Sequence, residues 1–389
     1  MPSEGGCRVL MVARWAPPSY SGAGQQALAL AQELARNDHS ITVFTASGGR
    51  SLLEHERVGG LEVVRWRATS RHPRVAKALF LTGLAAHLTS RPRRYDVVHL
   101  HGSYFVLRLL RLLKRPLCYA IVYKPTMIAR DDPAAIELVR PSVLACVDSW
   151  ICVVAEITAS GLRTGIPARK LVSLPNGVDL ARFAPPSDAD KAALRAELLL
   201  PERRVWALVA SMIPRKRIHL AVEAWAILRR PRPLLVVVGP LDGRESAVDL
   251  TYADGVRQLV DSAGLRDDVS FLDRQENVER VLHAVDGFVF TSEREGLPNA
   301  VLEALAAGLP VVTTAFQAID DLLVLADGRM RVVDPDPSAL AEAIAATTYD
   351  RVVPASIANV SLQKIAARYD AVYQHARANG AQRAEAVHA

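Results

Sequence analysis

No apolar run in the 389 residues approaches the roughly 18–20 residues of a membrane-crossing helix, which argues against a helical integral membrane protein. The N-terminal stretch MPSEGGCRVLMVARWAPP carries Glu4 where a secretory leader is basic, and its apolar run is short, so no signal peptide is read there. Only four cysteines occur, Cys7, Cys118, Cys146 and Cys152, all in apolar segments and without metal-ligand spacing. That argues against a thiolate metal site and for buried thiols in a reducing cytoplasm. The glycine-bearing loop after the first strand is not G-x-G-x-x-G, so the nicotinamide fingerprint is missing too.

Half the residues are hydrophobic and 23% are charged, enough apolar material for two packed cores. The net charge of +6 is uneven: residues 1–180 hold 23 Lys+Arg against 13 Asp+Glu, and the rest hold 24 against 28. A basic first half fits either an arginine-rich solvated surface or an anionic partner such as a lipid surface or a phosphorylated acceptor. The stretch between Arg71 and Arg94 has an apolar helical centre with basic flanks. It reads as a core helix with solvated ends or as a monolayer-docking helix.

Short Val-, Ile- and Leu-rich runs alternate with helical periodicity along the whole chain, the pattern of βα units on parallel sheets. Strands are expected at Cys7–Val12, Ile41–Thr45, Leu61–Trp66, Asp96–Leu100, Leu117–Tyr123, Ser149–Val154 and Leu171–Leu174. A second series runs through Val205–Ala210, Leu234–Val238, residues 269–272, Asp286–Phe290 and Val311–Thr314. Gly22 and Gly24 fall in the loop after the first strand, with a helix expected from Gln25. His101 leaves the carboxyl end of its strand, where open α/β sheets bind ligands, while His99 is expected to point to the other face as a structural residue. Taken alone, His101 is equally a hydrogen-bonded structural histidine. Arg215 and Lys216, between a strand and a helix, fit a diphosphate clamp or a solvated turn.

The densest signal is Thr291–Val312, TSEREGLPNAVLEALAAGLPVV. After a buried strand come a polar turn, Gly296 for an unusual backbone angle, Pro298 at a helix start, the helix AVLEALAA and the stop Gly308. A helix N-terminus placed so offers N–H groups and partial positive charge to a phosphate. Glu295 and Glu303 frame it. Either glutamate alone is an ordinary helix charge, but the string resembles the E-x(7)-E motif of retaining GT-B glycosyltransferases of family 4. DVVHLHGSYF resembles that family's H-x-H segment, PNGVD (residues 175–179) its domain junction, and Ser211 to Arg217 its G-R-x-x-x-x-K stretch.

The resemblance implies two Rossmann-like α/β domains: residues 1–184, completed by a tail near 366–389, and residues 185–365. It implies a retaining, metal-independent transfer from a nucleotide-diphosphate sugar, with UDP or GDP, to a hydroxyl acceptor that is a glycan, a lipid-linked sugar or another glycoside. No D-x-D pair falls where a divalent ion would be needed, and no cofactor or nucleic acid is implied. His101 and Glu295 would contact the donor sugar, and Glu303 the ribose. Gly22, Gly24, Gly296, Leu297, Pro298 and Asn299 would line the donor site, and Lys216 would grip the diphosphate. Ser211 stands where the family has arginine, so either Arg215 substitutes or Ser211 lends a hydroxyl. After the strand ending at Tyr123, Lys124-Pro125 replaces the histidine or aromatic-rich loop of many relatives. A cytoplasmic enzyme in peripheral contact with the inner membrane is expected. An epimerase or hydrolase, or a binding protein without turnover, remains compatible with the same fold.

Overall fold

Apolar runs bounded by polar turns become parallel strands here, because each is covered on both faces and has no solvent side to alternate toward. The structure is a computed structural model; it describes residues 6–19, 21–47, 53–128, 132–137, 141–241 and 248–388. The chain divides into two units: Met1–Gly177 with Leu362–Ala389, and Val178–Ser361.

The first unit carries β1 (Arg8–Ala13), β2 (Ser40–Ser47), β3 (Leu53–Val58), β4 (Leu61–Arg67), β5 (Val97–His101), β6 (Ala120–Lys124), β7 (Ser149–Cys152) and β8 (Leu171–Ser173). Their order in the sheet is β3-β4-β2-β1-β5-β6-β7-β8. All neighbours are parallel except the β3–β4 pair. That hairpin turns through Gly59-Gly60, both at positive φ (55° and 85°), as a two-residue turn requires. The polar sequence LEHERV suits an edge strand, which is why apolar patterning passes over β3. Leu117 is not strand, contrary to the expected Leu117–Tyr123. It ends the helix Leu107–Leu117, and Cys118 then adopts a left-handed conformation (φ 55°) before β6 begins.

One face of this sheet packs Phe44, Leu100, Tyr123 and Trp150 against Phe80, Leu84 and Leu88 of the helix Pro73–Ser90 and Leu107 and Leu110 of the next. The basic-flanked helix is therefore a core element along its buried side, with Arg71 and Arg74 exposed. The other face packs Met11, Val97 and Val122 against Leu30 and Leu34 of the helix Gly22–Arg36 and Ile365, Tyr369 and Tyr373 of the helix Leu362–His388. Each such fully buried Leu, Ile or Phe contributes about 1.5–3 kcal/mol of transfer free energy. That burial binds the tail of the chain into the first unit.

The second unit carries β9 (Val205–Val209), β10 (Leu234–Val238), β11 (Val269–Leu272), β12 (Gly287–Phe290), β13 (Val311–Thr314) and β14 (Met330–Val333), all parallel, in the order β11-β10-β9-β12-β13-β14. Counted within the unit this is 3-2-1-4-5-6, the doubly wound dinucleotide order. The order reverses between β9 and β12, so the crevice for a ligand lies at the carboxyl ends of those two strands. In the first unit the equivalent reversal lies between β1 and β5. Of the four thiols, Cys7 and Cys152 are buried and Cys146 is partly so, but Cys118 is exposed because it forms the turn before β6.

Candidate functional site

Residues just past the ends of β9 and β12 converge. A short 3-10 turn, Pro214–Lys216, follows β9, and the loop Thr291–Pro298 follows β12. The Lys216 carbonyl accepts from the Thr291 hydroxyl at 2.9 Å, and Glu293 N–H donates to the Arg215 carbonyl at 2.9 Å. These bonds lock the two loops together. Glu295 Oε1 accepts from Lys216 Nζ at 2.6 Å, from Arg215 Nη1 at 2.8 Å and from the Ser292 hydroxyl. Burial pushes the Glu295 carboxyl up, but the Lys216 and Arg215 charges outweigh that and hold it below its ordinary value. Burial lowers the Lys216 ammonium, with Glu295 offsetting part of the effect. In the ligand-free chain the two cations therefore neutralise the glutamate. Ser292 was not singled out from the sequence; a Ser three residues before a functional Glu is the signal that would have found it.

Ser211 lies in the turn after β9, buried and without a hydrogen bond to its hydroxyl among the described residues. Gly239, closing β10, sits so near that a Cβ on it would meet the Ala210 carbonyl at 2.0 Å. Arg215 is spent on Glu295 and on the Arg294 carbonyl. The helix Asn299–Ala306 opens with Pro298 as its N-cap and has no side-chain cap hydrogen bond. Gly296, Leu297 and Pro298 are buried in the loop that aims it. Gly296 is not among the glycines at positive φ, so the unusual angle expected there is absent; Gly308, which ends the helix, does have one (φ 72°).

Glu303 lies on this helix with no hydrogen bond or ion pair among the described residues. Burial pushes its carboxyl up to about 7; Arg182 pulls down and Glu279 pushes up. Arg182 is itself held by Glu279 at 2.7 Å. An unpaired, desolvated carboxyl is suited to accept hydroxyl hydrogen bonds from a ligand.

In the first unit the carboxyl edge of the sheet brings Ala13, His101 and Lys124 into one row, paired in register across β1, β5 and β6. His101 is only 2% exposed, and both its ring nitrogens lack a hydrogen-bond partner among the described residues. Burial drives its pKa well below the ordinary value, His99 and Lys124 adding to this, so the ring is neutral. His99 was expected on the opposite face. Its ring instead lies 4.2 Å from that of His101, because residues two apart on a strand share a face. It is structural: His99 Nδ1 meets the Tyr373 hydroxyl at 2.8 Å. Lys124, 3% exposed, belongs to the same row.

Gly22 and Gly24 are not in a loop. They form the first turn of the helix Gly22–Arg36, whose N-cap Ser21 accepts from Gly24 N–H at 3.1 Å. A Cβ at Gly24 would meet the Trp15 carbonyl at 1.9 Å, so glycine is what lets this helix start press on the chain leaving β1.

Two sheets in doubly wound order, each with polar residues gathered at its switch point, are the architecture of the GT-B fold. The model for glycosyltransferase family 4 matches residues 20–182, and that for glycosyl transferases group 1 matches residues 190–359. The chain belongs to GT-B glycosyltransferase family 4. It is 28% identical over 390 residues to one of the chains of phosphatidylinositol N-acetylglucosaminyltransferase from Arabidopsis thaliana, covering 95% of this chain and 82% of that protein. It is 28% identical over 344 residues to D-inositol 3-phosphate glycosyltransferase of Streptomyces scabiei, covering 81% and 76%. Among solved structures, sucrose-phosphate synthase of Thermosynechococcus elongatus superposes with a TM-score of 0.80 at 20% identity, covering 96% of this chain and 100% of that one. HepE of Anabaena, in complex with UDP and glucose, gives 0.69 at 19% identity, covering 98% and 99%. No helix among the described residues is long and apolar enough to cross a membrane.

Proposed function

We propose that this glycosyltransferase transfers a sugar from a nucleotide-diphosphate sugar to a hydroxyl acceptor with retention of configuration and without a metal ion. The observation that carries the reading is the cluster of Lys216, Arg215 and Glu295 in the loops that lead to the N-terminus of the helix Asn299–Ala306. A diphosphate placed there meets two cations and a helix dipole, which together can stabilise the charge that develops on the leaving group. The ribose hydroxyls are assigned to Glu303, and the Ser211 hydroxyl adds a phosphate donor where relatives use arginine.

Glu295, once its cations turn to the diphosphate, is free to accept from sugar hydroxyls. His101, neutral and unpartnered, donates to the sugar. No side chain is assigned as a nucleophile. The leaving phosphate takes the acceptor's proton as the acceptor attacks on the same face, which accounts for retention. The donor nucleotide is UDP or GDP, and the acceptor is a glycan, a lipid-linked sugar or a small glycoside. The two relatives named above have inositol in their names, and an inositol-containing acceptor is among the first to try. The basic surface beside Arg71 and Arg74 supports peripheral contact with the cytoplasmic face of a membrane.

The deciding experiment measures nucleotide release from UDP- and GDP-sugars with and without acceptor. Release that requires acceptor supports transfer. Release or isomerisation without acceptor would make the chain a hydrolase or epimerase, and binding without turnover would make it a nucleotide-sugar receptor.

A further inference from the structure

Three partly buried lysines of this protein hold carboxylates, and a fourth, Lys170, donates to the Ala145 and Val147 carbonyls. Lys114 Nζ lies 2.6 Å from Asp148, Lys191 Nζ 2.7 Å from Asp286, and Lys216 Nζ 2.6 Å from Glu295. Lys124 is more deeply buried than any of them and has no hydrogen bond or ion pair to its ammonium among the described residues. Its neighbour in register, His101, has two orphaned ring nitrogens. The row thus holds a cation and an imidazole, and among the described residues no acidic side chain answers either. His99, whose ring lies 4.2 Å from that of His101, has its Nδ1 against the Tyr373 hydroxyl and its Nε2 without a partner among the described residues.

We propose that Lys124 and His101 form a subsite for an oxyanion carried by one of the two sugar substrates, a carboxylate on the donor's sugar or a phosphate on the acceptor. The subsite rests on the glycosyltransferase reading above. A neutral sugar hydroxyl would satisfy one donor but leave a buried ammonium without countercharge, which is costly in a dry site. An oxyanion supplies the charge and several acceptor lone pairs at once, and charge-assisted hydrogen bonds are the stronger kind. The nucleotide's own phosphates are assigned to Lys216 and Arg215 in the other unit, so they are not this anion. Burial lowers the Lys124 ammonium to about 7, the response expected of a cation awaiting its partner.

The test uses the full chain and the variant Lys124→Met, which keeps the side-chain length and removes the charge. Without ligand, the variant should melt several degrees above wild type, because an uncompensated buried cation has been deleted. If it melts lower, Lys124 is a structural residue and the proposal is overturned. UDP-glucuronate and UDP-glucose are then compared by calorimetry, and inorganic phosphate is titrated into protein saturated with UDP. A preference of tenfold or more for UDP-glucuronate, abolished in Lys124→Met, assigns the oxyanion to the donor. Phosphate binding abolished in the variant assigns it to the acceptor. If neither ligand's affinity depends on Lys124, the subsite does not exist. Lys124→Arg should retain whichever preference wild type shows. If none of UDP, GDP and ADP binds wild type, it is the nucleotide-sugar reading that fails; if GDP binds instead, the GDP-sugars replace the UDP-sugars.

Discussion

Lys216 and Lys124 are both buried lysines near the carboxyl ends of parallel strands, one in each unit, yet their surroundings differ. Lys216 has Glu295 at 2.6 Å and shares it with Arg215. Lys124 shares its row with an unpartnered histidine and no acid. Burial lowers both ammonium groups, but only Lys216 has a carboxylate pulling the other way. The second unit's site carries one carboxylate against two cations, so an entering diphosphate must compete with Glu295 for them. The first unit's row is left with a donor surplus. A buried cation with no carboxylate beside it is the costlier of the two arrangements when empty.

The sharpest way to break this contrast is Glu295→Ala. It strands Arg215 and Lys216, and loss of one partner from such a buried cluster should destabilise the second unit by about 3 kcal/mol or more in chemical denaturation. Unchanged stability would mean that the cluster is solvated and the contrast false.

Glu303 comes next. Its carboxyl titrates near 7 folded, against the ordinary 4.5. A raised carboxyl contributes most below 4.5, where both states are protonated, and that contribution is lost as pH rises through 7, by at most about 3 kcal/mol. Glu303→Gln should therefore be more stable than wild type at pH 8 and no more stable at pH 5. UDP or GDP affinity should fall by about 1–3 kcal/mol in the same variant, measured by calorimetry at pH 8. An equal effect at both pH values would count against a desolvated carboxyl.

Lys216→Ala should weaken nucleoside diphosphate binding by about 1.5–3 kcal/mol and leave the nucleoside nearly untouched, because only the diphosphate meets the ammonium. Parallel losses for both ligands would make Lys216 structural. Running Arg215→Ala alongside shows whether Arg215 or the Ser211 hydroxyl compensates for the arginine of relatives. The smallest effect is expected at Gly24. A methyl there meets the Trp15 carbonyl, so Gly24→Ala should cost about 1–3 kcal/mol of first-unit stability as the helix start is pushed away.

Much of the second unit's site was legible in the chain. Glu295, Glu303, Lys216 and the helix start all sit within local strand–loop–helix strings, and local strings carry their own geometry. Even there Gly296 was misread, since it is not among the glycines at positive φ. In the first unit, reading stopped short. His99 was assigned to the wrong face although alternation along Val97–His101 was enough to place it beside His101. Lys124 was visible only as a departure from relatives. Its lack of a partner depends on what β5 and the helices over the sheet bring near it.

The sequence by itself determined the alternation of strands and helices, the two-domain plan and the loop that carries Glu295, because hydrophobic period and helix start and stop signals act over a few residues. Only the tertiary structure decided which charges are paired. Glu295 meets Lys216 across 79 residues of chain, and His101 meets Lys124 across 23, through strand order. Pairing is set by which strands lie side by side, and desolvation by what covers them; neither is written in any short stretch of the chain.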